Sequence, residues 1–194
     1  SFQRVKPFRL ICKTADMITT KVKHFPKNIL SNKEIIGEAL NRDCLRALII
    51  PIKSIVLARS LRLQCQYGCD HFGQRLTCPP YSPTADEFSE ILMDYNRALL
   101  IEAKQSEQVI ETITGLENVL KNQGSYKAFG LGGNACSLCD TCTTESHCEQ
   151  PAKARPTLRA FGVDVPATLS NVGWDIQISM DYCKDSSIGL ILMD

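Results

Sequence analysis

Four cysteines, Cys136, Cys139, Cys142 and Cys148, fall within thirteen residues, and no packing argument asks for that density. Buried thiols behave as small hydrophobes, but these alternate with Ser137, Asp140, Thr141, Thr143, Glu145 and His147, which are loop residues. A polar, turn-prone loop carrying four sulfurs reads as a ligand loop for a soft metal centre. Its spacings place three sulfurs on one tight wrap and return a fourth after a longer excursion. A second constellation runs Cys65-x3-Cys69-x8-Cys78 and is followed at once by Pro79 and Pro80. Gly68 and Gly73 can relieve the backbone there, and the two prolines remove N–H donors and stiffen the turn carrying Cys78. Three local thiolates leave a fourth position for Cys183, Cys44, Cys12, His71 or an exogenous ligand, with Cys183 the candidate that would close the site.

The choice of metal follows from spacing. Structural zinc sites of four Cys usually come as two separated Cys-x2–4-Cys pairs. Three cysteines threaded as Cys136-x2-Cys139-x2-Cys142 suit a cube of iron and sulfide better, and they resemble the Cys run of bacterial ferredoxins. The match departs from that run at its end, where five residues precede Cys148 and Pro151 comes three later. The longer excursion lets all four sulfurs close on one cluster. Two iron–sulfur clusters of the 4Fe-4S type are therefore the expected cofactors, with zinc as the alternative at both sites and reactive or unliganded thiols a third reading for residues 65–78. His71 and His147 adjoin cysteines and can cover a cluster, but neither is expected to ligate. Lys127, Arg155 and Arg159 flank the second loop and are candidates to offset the charge of its thiolates.

Ten cysteines in 194 residues point to metal or redox chemistry in a reducing compartment, or to disulfides in a secreted chain. No apolar run approaches the ~18–20 residues of a membrane span, and the first residues carry no secretory h-region. A cytoplasmic location is the expectation. Residues 1–75 carry 14 Lys/Arg against 5 Asp/Glu, while residues 76–194 carry 8 against 16. The basic half suits an anionic partner, but the lack of interleaved aromatics argues against nucleic acid. No Gly-rich phosphate fingerprint is present.

The elements that must position these thiols follow from local pattern. Ser31 and Glu34 form a capping box for a helix over 32–43, with Cys44 at its end as a core residue. Residues 48–58 are apolar and interrupted by Pro51, which predicts two short strands or one strand with an edge proline. Thr84 and Glu87 form a second capping box, before an apolar face of Phe88, Ile91, Leu92 and Tyr95. A buried strand over 98–103 precedes a helix capped by Ser106 and ended by Gly124, and a strand over 126–131 turns through Gly132 and Gly133 into the cysteine loop. Two short helices are expected after Pro151, one broken at Pro156 and closed by Gly162, the other running from Pro166 to Gly173. A hairpin of Trp174–Met180 and Ile188–Met193 completes the chain. The reading is α+β: a mostly antiparallel sheet backed by helices, with two cysteine-rich metal-binding loops at one end. Residues 1–44 form a basic arm and helix, and residues 45–194 the cysteine-rich domain.

Two motifs carry a family resemblance over about residues 45–194. The first is Cys65-Gln66-Tyr67-Gly68-Cys69 with Gly73-Gln74-Arg75-Leu76-Thr77-Cys78-Pro79-Pro80-Tyr81-Ser82-Pro83. The second is Cys136, Cys139, Cys142, Cys148 and Pro151 with Arg155-Pro156 and Gly162-Val163-Asp164-Val165. Together they resemble the predicted metal-binding family, a domain of unknown function of anaerobic bacteria and archaea. The resemblance implies cysteine-ligated metal at Cys65, Cys69, Cys78, Cys136, Cys139, Cys142 and Cys148, in a cytosolic protein of anaerobic metabolism, and carries no established reaction. The expected role is an electron-transfer or redox subunit docking on a partner protein or larger enzyme. The alternatives are an enzyme with an open-coordination cluster at Cys65, Cys69 and Cys78 that handles sulfur or a small substrate, and a zinc-stabilised interaction module.

Overall fold

A computed structural model describes residues 30–174 and 187–194. Cys12, Cys183 and nearly all of the expected strand Trp174–Met180 lie outside the described residues. Five α-helices and one four-stranded antiparallel sheet among the described residues make the α+β fold that the pattern predicts. The capping box of Ser31 and Glu34 opens α1 (Asn32–Leu40), which stops short of the expected end because Asp43 turns at φ 60°. Strand β1 (Arg46–Pro51) then lies at the sheet edge, where a proline costs no ladder donor. Of the two readings of residues 48–58, one strand with an edge proline is the one that forms, and beyond Pro51 there is a single bridge, between Leu57 and Val163.

Helix α2 (Leu61–Gly68) departs from the expected loop. Its Leu63 and Tyr67 are exposed and it has no single apolar stripe, so local pattern does not announce it; it packs on the 3-10 turn Arg159–Phe161. Helix α3 (Ala85–Leu92) follows the Thr84–Glu87 box and buries Phe88 edge-on against Phe161, with ring centroids 4.9 Å apart. Strand β2 (Arg97–Glu102), helix α4 (Ser106–Asn122), strand β3 (Phe129–Gly132), helix α5 (Val165–Asn171) and strand β4 (Ile188–Met193) complete the order. Of the two helices expected after Pro151, the second is α5, capped by Asp164 Oδ1, which accepts the Ala167 N–H at 3.0 Å. The first is shortened to the 3-10 turn Arg159–Phe161, closed by Gly162 at φ 75°, and the residues before it are turns and irregular chain around Pro156.

Strand order is β1-β2-β4-β3, all antiparallel. Alternation sends Leu99, Ile101, Ile191 and Met193 toward α1 and α4, and Ala98, Leu100, Leu190 and Leu192 toward α3, α5 and residues 158–163. Both faces are covered, which explains the uninterrupted apolar runs of β2 and β4. Helix α4 lies very close to the sheet. A Cβ on Gly189 would stand 2.7 Å from Val109 Cγ1, and one on Gly130 3.0 Å from Ile113 Cβ.

One buried ion pair ties this layer to the second cysteine loop. Glu117, on α4, is fully buried and receives Arg155 Nε and Nη2, each at 2.8 Å, as a fork. Lys121 Nζ and the Gly130 N–H also donate to it, the latter at 2.9 Å. Arg155 Nη1 meanwhile donates to the carbonyls of Pro151 at 3.0 Å and Ala154 at 2.7 Å. Burial works to raise the Glu117 pKa, but the hydrogen bonds from Arg155 and Lys121, helped by the Arg155 charge and by the Gly130 N–H, more than offset it and hold it below the usual 4.5.

Two outcomes follow from this packing. Gly189→Ala should lower stability by about 1–3 kcal/mol in urea denaturation, since the added methyl overlaps Val109. Glu117→Gln leaves the Arg155 charge buried without its partner and should cost about 3–5 kcal/mol. The sign with pH is also set. A carboxylate depressed in the folded state contributes its full stability above the unfolded value near 4.5 and loses it as pH falls through the folded value. Stability of Glu117→Gln, measured between pH 3 and 7, should therefore fall less steeply on the acid side than that of the parent.

Candidate metal centre

The first three thiols are positioned by α2 and the turns after it. Cys65 is buried within α2, and Cys69 is its C-cap, one turn further on, so a spacing of four brings both sulfurs to one side of the helix. The chain then doubles back. The Gly73 N–H donates to Pro79 O at 2.8 Å, with Gly73 at φ 70°, and the Pro79–Pro80 bond is cis. Ser82 fastens the turn by donating to Ala160 O at 2.8 Å. Cys65, Cys69 and Cys78 thereby line one cavity, facing Phe72, Leu158, Val165 and Ile188. Burial first, then the neighbouring Cys69, Cys65 and Cys136 thiolates, pushes the Cys78 thiol up to about 11.

The second set sits where β3 leaves the sheet. The Gly132 N–H donates to Pro156 O at 2.9 Å, and Gly132 has no room for a side chain, since a Cβ would stand 2.6 Å from Gly189 Cα. The Asn134 N–H donates to Ser106 Oγ at 2.6 Å. Ser106 was expected to cap α4; the cap is Gln105, and Ser106 holds this exit turn instead. Beyond it the loop has neither helix nor strand, yet Cys136, Cys139, Cys142 and Cys148 all line one cavity. Burial raises the Cys139 thiol, and the negative charges of Glu149, Cys136, Cys142 and Cys148 act in the same direction.

The two cavities share a wall. Arg75, Leu76 and Thr77 line the second cavity, and Cys78, the next residue, lines the first. Likewise Asn134 and Ala135 line the first cavity and Cys136 the second. The Leu76 N–H donates to Cys142 Sγ at 3.4 Å, and Arg75 Nη1 donates to Cys139 O at 2.8 Å. Arg75 Nε is buried with no hydrogen-bond partner among the described residues. A cationic donor left over beside four thiols fits a centre whose ligands are thiolates, because their charge would satisfy it. Among the described residues no three His, Cys, Asp or Glu side chains are already gathered as ligands of a single ion. The donor set fits a soft metal nonetheless. Seven thiols line two cavities, carried by helix α2 and by turns fastened to the body of the domain.

Other expectations sort themselves by place. Cys44 packs in the core on the α1–α4 side of the sheet, with Sγ 3.8 Å from Thr112 Oγ1, so it is removed from the candidates for a fourth ligand. Neither His71 nor His147 lines a thiol cavity. Arg155 is committed to Glu117, and Arg159 belongs to the first cavity, where Nη1 donates to Gln64 Oε1 at 2.6 Å. The cation beside the second loop is Arg75, which sequence reasoning missed; its only signal was its position three residues before Cys78.

Arg75→Gln should weaken metal retention by about 10–100-fold, read by chelator competition on protein purified without oxygen. Cys44→Ala should leave the metal content unchanged and lower only stability.

No curated protein and no solved structure matches the chain. A family model matches residues 48–193, which take in both thiol cavities and reach from β1 to the end of β4. The description of that family names metal binding and no reaction, in keeping with two thiol-lined cavities. The chain belongs to the family described as Predicted metal-binding protein (DUF2284).

Proposed function

We propose that this chain is a cytoplasmic iron–sulfur protein carrying two clusters and serving as an electron-transfer subunit for a partner enzyme. The observation that carries the reading is the shared wall. Residues 75–78 and 134–136 each border both thiol cavities, so charge at one centre is felt at the other. The inner set includes buried Cys65 and Cys78, whereas the outer four cysteines are partly exposed. Such a pair suits electron entry at the outer centre and storage at the inner one. The N–H donated by Leu76 to Cys142 Sγ, and the guanidinium of Arg75, are the kinds of group that set a cluster's reduction potential. When bound, iron–sulfur clusters would supply one-electron chemistry, and the residues named would hold, shield and tune them. Among the described residues no helix is long and apolar enough to cross a membrane.

A second reading has one observation in its favour. The three thiols of the first cavity face an apolar wall of Phe72, Leu158, Val165 and Ile188, which leaves room for a small substrate at an open coordination position. Cys12→Ala and Cys183→Ala decide between them: loss of the inner cluster in either variant means that the site is closed by protein.

Anaerobic purification followed by iron and sulfide counts, and EPR of the reduced protein, tests the main reading. The expected result is two reducible clusters whose signals broaden each other. A colourless, zinc-loaded and redox-silent protein would overturn it and leave zinc as the agent that folds the loops.

A further inference from the structure

The turn that separates the two thiol cavities carries a hydroxyl that the fold leaves unused. Residues 75–78 close on themselves through the Cys78 N–H, which donates to Arg75 O at 3.0 Å. Of the two residues between, Leu76 donates its N–H to Cys142 Sγ at 3.4 Å. The other is Thr77. Its Oγ1 is buried and meets no group in hydrogen-bond geometry among the described residues. Thr77 lines the outer cavity with Cys136, Cys139, Cys142 and Cys148, and its neighbour in the chain, Cys78, lines the inner one. Burial raises the Cys78 thiol, and the Thr77 hydroxyl, close beside that sulfur, works against the rise.

Folding alone does not ask for threonine here. A buried hydroxyl without a partner costs free energy, and valine would fill the same space with no polar atom to strand. Buried threonines elsewhere are used: Thr168 Oγ1 accepts the Val56 N–H at 3.0 Å, and Thr112 Oγ1 meets Cys44 Sγ at 3.8 Å. Three buried side-chain polar atoms among the described residues lack a partner, and two of them, Arg75 Nε and Thr77 Oγ1, belong to this one turn. Stranded donors gathered between two sets of thiols point to acceptors that come with the filled centres.

We infer that the Thr77 hydroxyl is a positioning donor shared by the two centres: its one hydrogen turns to the Cys78 sulfur of the inner set or to the sulfurs of the outer set, whichever carries more negative charge. The Leu76 N–H and the Arg75 guanidinium serve the outer set, so Thr77 is the donor of this turn that both sets reach. A sulfur that gains charge draws the hydroxyl to itself and takes it from the other side, so a change at one centre is registered at the other. The inference rests on metal being held in both cavities and deepens the electron-transfer reading, but it stands whichever metal the thiols bind.

The test compares the full chain, purified without oxygen, with Thr77→Val and Thr77→Ser, by chelator-driven metal release and by EPR-monitored reductive titration. Release from the parent is expected in two phases, one for each centre. Thr77→Val should quicken both by about 2–10-fold, the strength of one hydrogen bond, and Thr77→Ser neither. A hydrogen bond to sulfur favours the reduced, more negative state, so Thr77→Val should also shift both one-electron equilibria toward the oxidised form. Thr114→Val, whose parent hydroxyl donates to Ile110 O within α4, controls for the bare change of side chain and should alter neither readout. Far-UV circular dichroism confirms that each variant is folded, and Thr77→Ala takes the place of Thr77→Val where the latter fails to fold. Unchanged release in Thr77→Val, a change confined to one phase, or a serine variant as impaired as the valine one overturns the inference. A parent that loads only one cavity overturns it as well. A zinc-loaded, redox-silent protein would remove the iron–sulfur reading but not this one, because the two release phases still decide it.

Discussion

A buried carboxylate is tolerable only when it is paired, and Glu117 finds its partner across the structure rather than beside it. Its fork with Arg155 joins the middle of α4 to the segment that follows the second cysteine loop, and the Gly130 N–H adds β3 to the same knot. Removing either charge would strand the other in a low-dielectric interior, so the three pieces are held in register as a unit. The second cysteine loop depends on this. It has no regular structure of its own, yet both ends are clamped, by Ser106 and Pro156 on leaving β3 and by Arg155 on returning. A loop with fixed ends and polar, adaptable residues between them can close on a metal without reorganising the domain.

The first cysteine segment is built differently, and the contrast bears on function. Cys65 and Cys69 stand on a helix, and Cys78 on a turn fastened to the body by Ser82. That site is sunk against the apolar face of the sheet, while the outer loop stays partly exposed. Their common wall couples the two. The cation that lines the outer cavity, Arg75, belongs to the inner segment, so the outer cavity is not complete without that segment.

Local pattern made much of the fold legible. Both capping boxes form as expected, Pro166 and Gly173 bracket α5, and the apolar runs of β2 and β4 are strands. These features depend on neighbours within four residues or on a period that composition displays directly. Helix α2 was illegible because its outward residues, Leu63 and Tyr67, are apolar yet exposed, which erases the amphipathic stripe. Of the short helical piece expected after Pro151, the part beyond the break at Pro156 forms as the 3-10 turn Arg159–Phe161, closed by Gly162 as expected, while the fork of Arg155 with Glu117 holds the preceding residues in turns.

By itself the sequence determined the α+β class, the thiols and their grouping into two sets, because ligand spacing and strand period are local quantities. Tertiary structure alone decided that Cys44 belongs to the core, that Arg155 serves Glu117 and that Arg159 turns to the inner cavity. It also decided that Arg75 stands in the wall between the two sets. Each of those assignments joins residues far apart in the chain, and which distant partner a charge or thiol meets is fixed by the packing of α4 and the 151–163 segment around the sheet, not by its neighbours in sequence.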